Sequence, residues 1–60
     1  MNEKKILKVT VTDVVNNKSY SSQCNYVKAA EGEQVATLAK EIRDMHKLYK
    51  GDCKTSKEII

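Results

Sequence analysis

The sequence predicts an α+β fold in which a two-stranded antiparallel β-hairpin packs on one amphipathic α-helix. Three observations predict this ββα order. Residues 6–15 and 18–27 each alternate apolar with polar side chains, which is typical of strands with one buried face. Asn16 and Asn17 separate the two segments, and asparagine tolerates the positive φ of tight hairpin turns. Residues 33–50 repeat apolar side chains every three or four positions, which predicts a helix with one apolar, buried stripe. The stripe consists of Val35, Leu38, Ala39, Ile42, Met45 and Tyr49.

The strand patterns also predict a register for the hairpin. A turn made of the two asparagines alone sets three cross-strand pairs on one face, namely Leu7–Tyr26, Val9–Cys24 and Val11–Ser22. The opposite face then pairs only polar residues. A turn one residue longer would set the apolar side chains of the first strand against the polar ones of the second. The pattern therefore favours the two-residue turn.

The ends of the helix carry their own signals. Gly32 is plausible near its start, and Glu31 and Glu33 suit the positive end of the helix dipole. Gly51 stands where a helix-ending glycine belongs. Residues 1–5 form a charged lead-in that we expect to fray. Residues 52–60 show neither period, so we expect disorder there, with a short third strand over 55–60 as the alternative.

The small size predicts self-association. The chain has 60 residues, no Phe, no Trp and three Tyr, so a single copy builds only a thin core. A hairpin also leaves two strand edges open. A two-fold homodimer would remedy both, either by joining hairpins into a four-stranded sheet or by packing helices together.

Composition excludes several classes of protein. The chain lacks the apolar core of a signal peptide and any run of about 20 apolar residues, so no membrane span is expected and the cytoplasm is the default compartment. Cys24 and Cys53 are widely spaced, and cytosolic thiols are normally reduced. One His and two scattered Cys do not make a zinc site, so we expect no metal and no cofactor.

The sequence contains no clear set of catalytic residues. His46 is the one histidine, and without an assured nucleophile or orienting acid it is far more often a packing residue. Either cysteine would need a base to stabilise its thiolate, and packing or an inert surface thiol is the simpler interpretation. Gly32 and Gly51 stand alone, so no glycine-rich phosphate loop exists. The sequence predicts that the protein is not an enzyme.

A basic helix face is the candidate site for nucleic acid. Its residues follow one another at spacings of three, four and three, and are Lys40, Arg43, Lys47 and Lys50. Such a stripe could track phosphates, and a dimer would present two of them. Glu41 and Asp44 interleave with it, however, so an ordinary solvated face with helix-surface ion pairs is the stronger interpretation. The net charge of +3 permits nucleic-acid binding without indicating it.

The predicted hairpin offers a second binding surface. Its polar face is nearly uncharged and consists of Thr10, Thr12, Ser21, Gln23 and Asn25. Open strand edges beside it invite strand addition by a peptide or a partner protein. The same face is also typical of an ordinary solvated sheet surface. We favour that interpretation narrowly over a binding surface.

This order of features resembles a family of small uncharacterised proteins of low-GC Gram-positive bacteria, their phages and mobile elements. The shared features are the alternating Val/Thr strand, the asparagine turn, a second strand ending in Tyr26-Val27-Lys28, an acidic link and the EQVATLAKEI helix. They cover roughly residues 8–45. Family members often continue into a strand after the helix. The resemblance implies a bacterial or phage accessory protein and brings no catalytic residue.

The leading hypothesis is therefore a homodimeric, non-enzymatic interaction or regulatory module that binds a host or phage protein. A nucleic-acid-binding accessory protein is the first alternative. The second is a phage-borne inhibitor of a host protein, since phage proteins of this size often cover the surface of a host enzyme. An inhibitor that mimics DNA would be acidic, whereas this chain is basic.

Overall fold

A computed structural model describes residues 5–60 as a three-stranded antiparallel sheet with one helix on one face. Its elements in chain order are β1 (Ile6–Asp13), β2 (Lys18–Asn25), α1 (Glu31–His46) and β3 (Cys53–Ile59), with 3₁₀ turns at Lys28–Ala30 and Lys50–Asp52. The strand order is β2-β1-β3. The predicted hairpin-plus-helix class is confirmed, together with the third strand. The expectation that residues 52–60 are disordered is wrong.

The core lies between the central strand β1 and the helix. β1 buries every second side chain, and the buried apolar residues are Leu7, Val9 and Val11 from β1 with Leu38, Ala39 and Ile42 from α1. This is the face that strand alternation and helical spacing together predict. Half-buried side chains around it include Tyr20, Cys24 and Leu48.

The hairpin register differs from the prediction by two residues. The observed pairs on the core face are Leu7–Cys24, Val9–Ser22 and Val11–Tyr20. β1 ends at Asp13 and β2 at Asn25, so the predicted strands over 6–15 and 18–27 are each two residues too long. Because the shift is even, every side chain keeps its predicted face.

The register changes because Asp13 builds a longer turn. This residue is 4% exposed, and its Oδ1 accepts hydrogen bonds from the N–H groups of Val15 (3.0 Å) and Asn16 (3.3 Å). Its Oδ2 accepts one from the side-chain amide of Asn16 (2.8 Å). Within the hairpin turn only Asn17 takes a positive φ, of 56°. A carboxylate that bonds to the next backbone groups favours a turn over further strand.

The helix ends four residues earlier than predicted. α1 spans Glu31–His46 rather than 33–50, and Lys47 takes the left-handed conformation (φ 54°, ψ 46°). The Leu48 N–H donates to the Arg43 carbonyl (2.8 Å), which closes the helix end. Leu48 packs against the core, and this contact turns the chain back toward β3. Gly51 does not end the helix; it lies in the 3₁₀ turn without a positive φ.

β3 pairs with the other side of β1 along its whole length, from Leu7–Ile59 to Asp13–Cys53. At one end Ile6 and Ile60 exchange both backbone hydrogen bonds (3.1 and 2.9 Å). Just before β1, the Lys5 carbonyl accepts a hydrogen bond from the Tyr26 N–H (2.9 Å). The sequence predicts fraying for residues 1–5; Lys5 makes this hydrogen bond, and residues 1–4 lie outside the described residues.

Candidate functional site

The sheet and helix give the molecule two distinct ends. At one end α1 begins beside the last residues of β2, where the Tyr26 hydroxyl donates to Glu31 Oε1 (2.7 Å). At the other end the rings of Tyr20 and His46 stack, with centroids 3.7 Å apart and planes 20° apart. We call this second region the turn end; it comprises the hairpin turn 14–17, the last turn of α1 and residues 47–52.

The turn end carries four exposed apolar side chains. They are Val14, Val15, Met45 and Tyr49, and each is between 49% and 75% exposed. Two come from the hairpin turn and two from the end of the helix and the segment behind it. For comparison, six apolar residues are buried within residues 5–60. Toward the opposite end the described residues include three more exposed apolar side chains, Val27, Ile59 and Ile60, so the turn end has the larger share of the exposed apolar residues.

Backbone hydrogen bonds hold this end together. The Val14 N–H donates to the Asp52 carbonyl (3.0 Å), and the Asp52 N–H donates to the Tyr49 carbonyl (2.9 Å). The Tyr49 ring lies against Gly51, where an added Cβ would stand 2.7 Å from Cε2 of the ring. The tyrosine ring can therefore occupy this position because Gly51 has no side chain.

The predicted basic stripe does not form as one continuous helix face. Lys40 and Arg43 both lie on α1, where Lys40 is exposed and Arg43, expected on the solvated face, is half-buried. Lys47 follows the helix in the left-handed conformation, and Lys50 lies in the 3₁₀ turn. Because the helix ends at His46, its spacing rule does not extend to these two lysines. They flank Tyr49 in sequence and belong to the turn end.

His46 packs against an aromatic ring, and the two cysteines lie far from each other. The His46 ring is engaged in the stack with Tyr20. Cys24 and Cys53 are free and half-buried; the first pairs with Leu7 and the second with Asp13, so they lie about 20 Å apart along β1. That distance is too long for a disulfide between them. Residues 5–60 hold no group of three His, Cys, Asp or Glu side chains suited to a metal ion.

At the other end Glu31 links α1 to β3 and to Tyr26, the residue that follows β2. Besides the Tyr26 hydroxyl, its carboxylate binds the Lys57 ammonium group of β3. The hydrogen bond from Lys57 and then that from Tyr26 hold the pKa of Glu31 below its usual range. The same carboxylate raises the pKa of the Tyr26 hydroxyl. The carboxylate of Glu31 thus connects the start of the helix to β3 and to Tyr26.

Gln34 makes a second tie at this end. Its Oε1 accepts from the Val27 N–H (3.0 Å), and its Nε2 donates to the Asn25 carbonyl (2.7 Å).

Two open grooves flank α1. The groove on the β2 side, about 440 Å³, is lined in part by Cys24, Gln34 and Leu38. The groove on the β3 side, about 430 Å³, is lined by Gly32, Val35, Thr55, Ser56 and Lys57.

No protein-family model, curated protein or solved structure matches this chain. The resemblance to the small Gram-positive and phage family stays a prediction. No helix within residues 5–60 has the length and apolar character needed to cross a membrane. The geometry of the turn end and of the sheet edges is therefore the basis for a functional assignment.

Sequence reasoning missed the exposed apolar residues at the turn end. It placed Met45 and Tyr49 on the buried stripe of a longer helix and Val15 at the end of a strand. One signal could have located the hairpin turn. Asp13 lies three residues before Asn16, which is the spacing of an aspartate that bonds to its own turn.

Proposed function

We propose that this protein is a non-enzymatic interaction module that binds a partner protein through its turn end. One observation carries the proposal: four large apolar side chains, Val14, Val15, Met45 and Tyr49, lie exposed at one end of a very small domain. Single exposed apolar residues need no explanation, but several at one end are typical of surfaces that contact other proteins. Tyrosine and methionine are also enriched at such contacts.

The charges around these residues indicate the chemistry of the partner. Arg43, Lys47 and Lys50 lie at the turn end with the exposed Asp44 and Asp52. Lys18 borders this end and adds a further positive charge, whereas the carboxylate of Asp13 is occupied by its own turn. Lysines bordering an apolar surface favour a partner whose apolar contact area has an acidic rim. We place this interaction in the bacterial cytoplasm, where both free thiols would stay reduced. A host enzyme and a phage protein are both possible partners.

The test compares capture by three forms of the tagged protein from nuclease-treated bacterial lysate. We expect the wild type to retain one or two proteins, and the variant Val15→Ser/Met45→Gln to lose them. The matched control Val27→Ser/Ile60→Ser removes exposed apolar side chains elsewhere in the chain and should retain the partner as the wild type does. Equal retention by all three forms would rule out the turn end as the contact.

Nucleic-acid binding is the second candidate, and the exposure of Tyr49 favours it. An exposed tyrosine between Lys47 and Lys50 in sequence offers a base-stacking ring with nearby phosphate contacts, as in proteins that bind single strands. The sequence had placed this ring in the core. The exposed ring therefore moves the candidate site from the helix face to the segment behind the helix.

Two charge-matched variants test this candidate with a labelled single-stranded oligonucleotide in fluorescence anisotropy. Lys47→Gln/Lys50→Gln should weaken binding about tenfold or more at low salt, because two phosphate contacts are lost. Lys40→Gln/Arg43→Gln removes equal charge from α1 and should weaken it far less. A larger loss in the helix variant would return the site to the helix face, and absence of binding by the wild type would reject the candidate.

A further inference from the structure

The outer edge of β3 has unpaired backbone groups. Ile60 exchanges hydrogen bonds with Ile6 of β1, and such pairs alternate along an antiparallel ladder. Lys54, Ser56 and Glu58 therefore direct their peptide groups at β1. Thr55, Lys57 and Ile59 direct theirs outward, away from the sheet.

The two edges of the sheet differ at one end of β2. There the Gln34 side chain donates to the carbonyl of Asn25, whereas no hydrogen bond within residues 5–60 reaches the outward backbone groups of the remaining β2 edge. On the β3 edge, no hydrogen bond within residues 5–60 reaches the outward groups of Thr55, Lys57 or Ile59. α1 packs over β1 and β2, and every residue of β3 except Cys53 is exposed. An open edge of this kind is a template for another strand.

We propose that β3 pairs antiparallel with β3 of a second copy of this chain, about a two-fold axis at Ser56. The two sheets then become one sheet of six strands, with both helices on the same face. This surface is separate from the turn end. The inference therefore stands or falls independently of the proposed function.

Charge along β3 selects the register. With the axis at Ser56, Lys54 of each copy lies opposite Glu58 of the other, so two opposite-charge pairs form on the face away from the helices. These pairs fall at positions without direct hydrogen bonds, where side chains approach most closely. In this register the charges of β3 in one copy complement those of β3 in the other.

The neighbouring registers lack this complementarity. The ladder permits only shifts that keep outward groups opposite outward groups. Centring on Thr55 sets Lys54 opposite Ser56 and Glu58 opposite Asp52. Centring on Lys57 sets two lysines opposite each other. Like charges directly across a strand pair are destabilising, so both registers are disfavoured.

The backbone groups of the chosen register also match. Thr55 and Lys57 of opposing copies exchange both of their hydrogen bonds, and the Ile59 N–H meets the Cys53 carbonyl. The Cys53 N–H is already bonded to the Lys50 carbonyl, so it needs no partner across the axis. The Lys57 ammonium stays on Glu31 of its own copy and faces only Thr55 of the other. The groove between α1 and β3 opens beside the new strand pair.

Charge reversal at the two paired positions tests the proposal in sedimentation velocity across a concentration series. We expect a wild-type dimer, and about tenfold weaker association for Lys54→Glu or Glu58→Lys, because two pairs become repulsive at once. The double variant Lys54→Glu/Glu58→Lys recreates both pairs and should return within threefold of wild type. Lys40→Glu on α1 is the charge-matched control, and Val15→Ser/Met45→Gln should dimerise as wild type does.

Cysteine substitution tests the register itself, in a background with Cys24→Ala and Cys53→Ala. Under oxidised glutathione, Ser56→Cys should form a disulfide-linked dimer across the axis, since directly opposed positions lie within disulfide distance. Thr55→Cys is the neighbouring control and should stay uncrosslinked. Far-UV circular dichroism verifies that each variant is folded. A monomeric wild type at millimolar concentration, a failed charge rescue, or cross-linking at Thr55→Cys in place of Ser56→Cys would overturn the proposal.

Discussion

β2 and β3 flank the same central strand, yet they have opposite relations to the helix. β2 alternates half-buried with exposed residues beneath α1, whereas β3 is exposed from its second residue onward. The difference comes from the position of α1, which packs on β1 and β2. It teaches that hydrogen bonding alone makes a strand, while burial against the helix makes it part of the core. β2 thus contributes mainly to stability, and β3 mainly presents surface.

Two helix residues on opposite sides of α1 provide the strongest test of this difference. Leu38 is buried and lines the groove toward β2, while Val35 is half-buried and lines the groove toward β3. Leu38→Ala should lower the free energy of unfolding by about 2–4 kcal/mol, enough to unfold much of so small a domain. Val35→Ala should cost about 1 kcal/mol or less. Urea denaturation measures both, and equal losses would contradict the asymmetry.

The Gln34 tie should contribute less than the core. Gln34→Ala removes hydrogen bonds to Asn25 and Val27 at the end of β2, and we expect a loss of about 1 kcal/mol in the free energy of unfolding. Thr37→Ala, on the same groove, is the control and should change stability by about 0.5 kcal/mol or less. Hydrogen exchange at the Val27 amide should accelerate only in the Gln34 variant; unchanged exchange there would show that the tie is dispensable.

Acid should weaken the β1–β2 turn and the link to β3 together. The side-chain hydrogen bond from Asn16, reinforced by backbone N–H groups, holds the pKa of Asp13 below its usual range, and Lys57 and Tyr26 do so for Glu31. The unfolded chain therefore binds more protons near pH 4. The free energy of unfolding of the protein should fall as the pH drops through about 4. It should continue to fall until the pH reaches the lower pKa values that Asp13 and Glu31 have in the folded state.

Variants separate the two contributions in urea titrations between pH 3 and pH 7. Asp13→Ala should lower the free energy of unfolding at pH 7 more than Glu31→Gln does. Asp13 is buried and holds the turn, whereas the ion pair of Glu31 is with Lys57, a half-exposed side chain. Each variant should also show a shallower loss between pH 5 and pH 3 than the wild type. Asp44→Asn, an exposed carboxylate on α1, is the control. A pH profile that is unaltered in both variants would refute the assignment.

Changes on the face of β3 should have the smallest effect on the folding of one copy. Thr55→Ala should change the free energy of unfolding by about 0.5 kcal/mol or less, because the side chain is exposed and α1 does not cover it. The measurement belongs at low micromolar concentration. A loss as large as that of Gln34→Ala would show that β3 contributes to the core after all.

The sequence allows prediction of the elements that bury a face and hides the one that does not. β1 and α1 bury regular stripes, so alternation and helical spacing reveal them. β3 faces solvent on both sides, so no burial imposes a pattern on its residues. Its strand conformation comes from the open edge of β1, which is a property of the assembled sheet.

The two boundary errors share a physical cause. Side-chain periodicity continues through Val15 and Tyr49, but specific contacts end each element earlier. Asp13 captures backbone groups to start the turn, and Leu48 packs on the core so that Lys47 adopts a left-handed conformation. The candidate site depends on the early end of the helix, because Tyr49 lies beyond that end and is exposed.

The strand order β2-β1-β3 has a consequence for the order of folding. The hairpin closes between near neighbours in the chain, whereas β3 must bring Ile59 back to Leu7 across the length of the helix. Contacts so distant in sequence form slowly. A chain leaving the ribosome can therefore assemble hairpin and helix while one side of β1 still lacks its strand. During that interval the most apolar strand of the protein is open to capture by a chaperone or by another nascent chain.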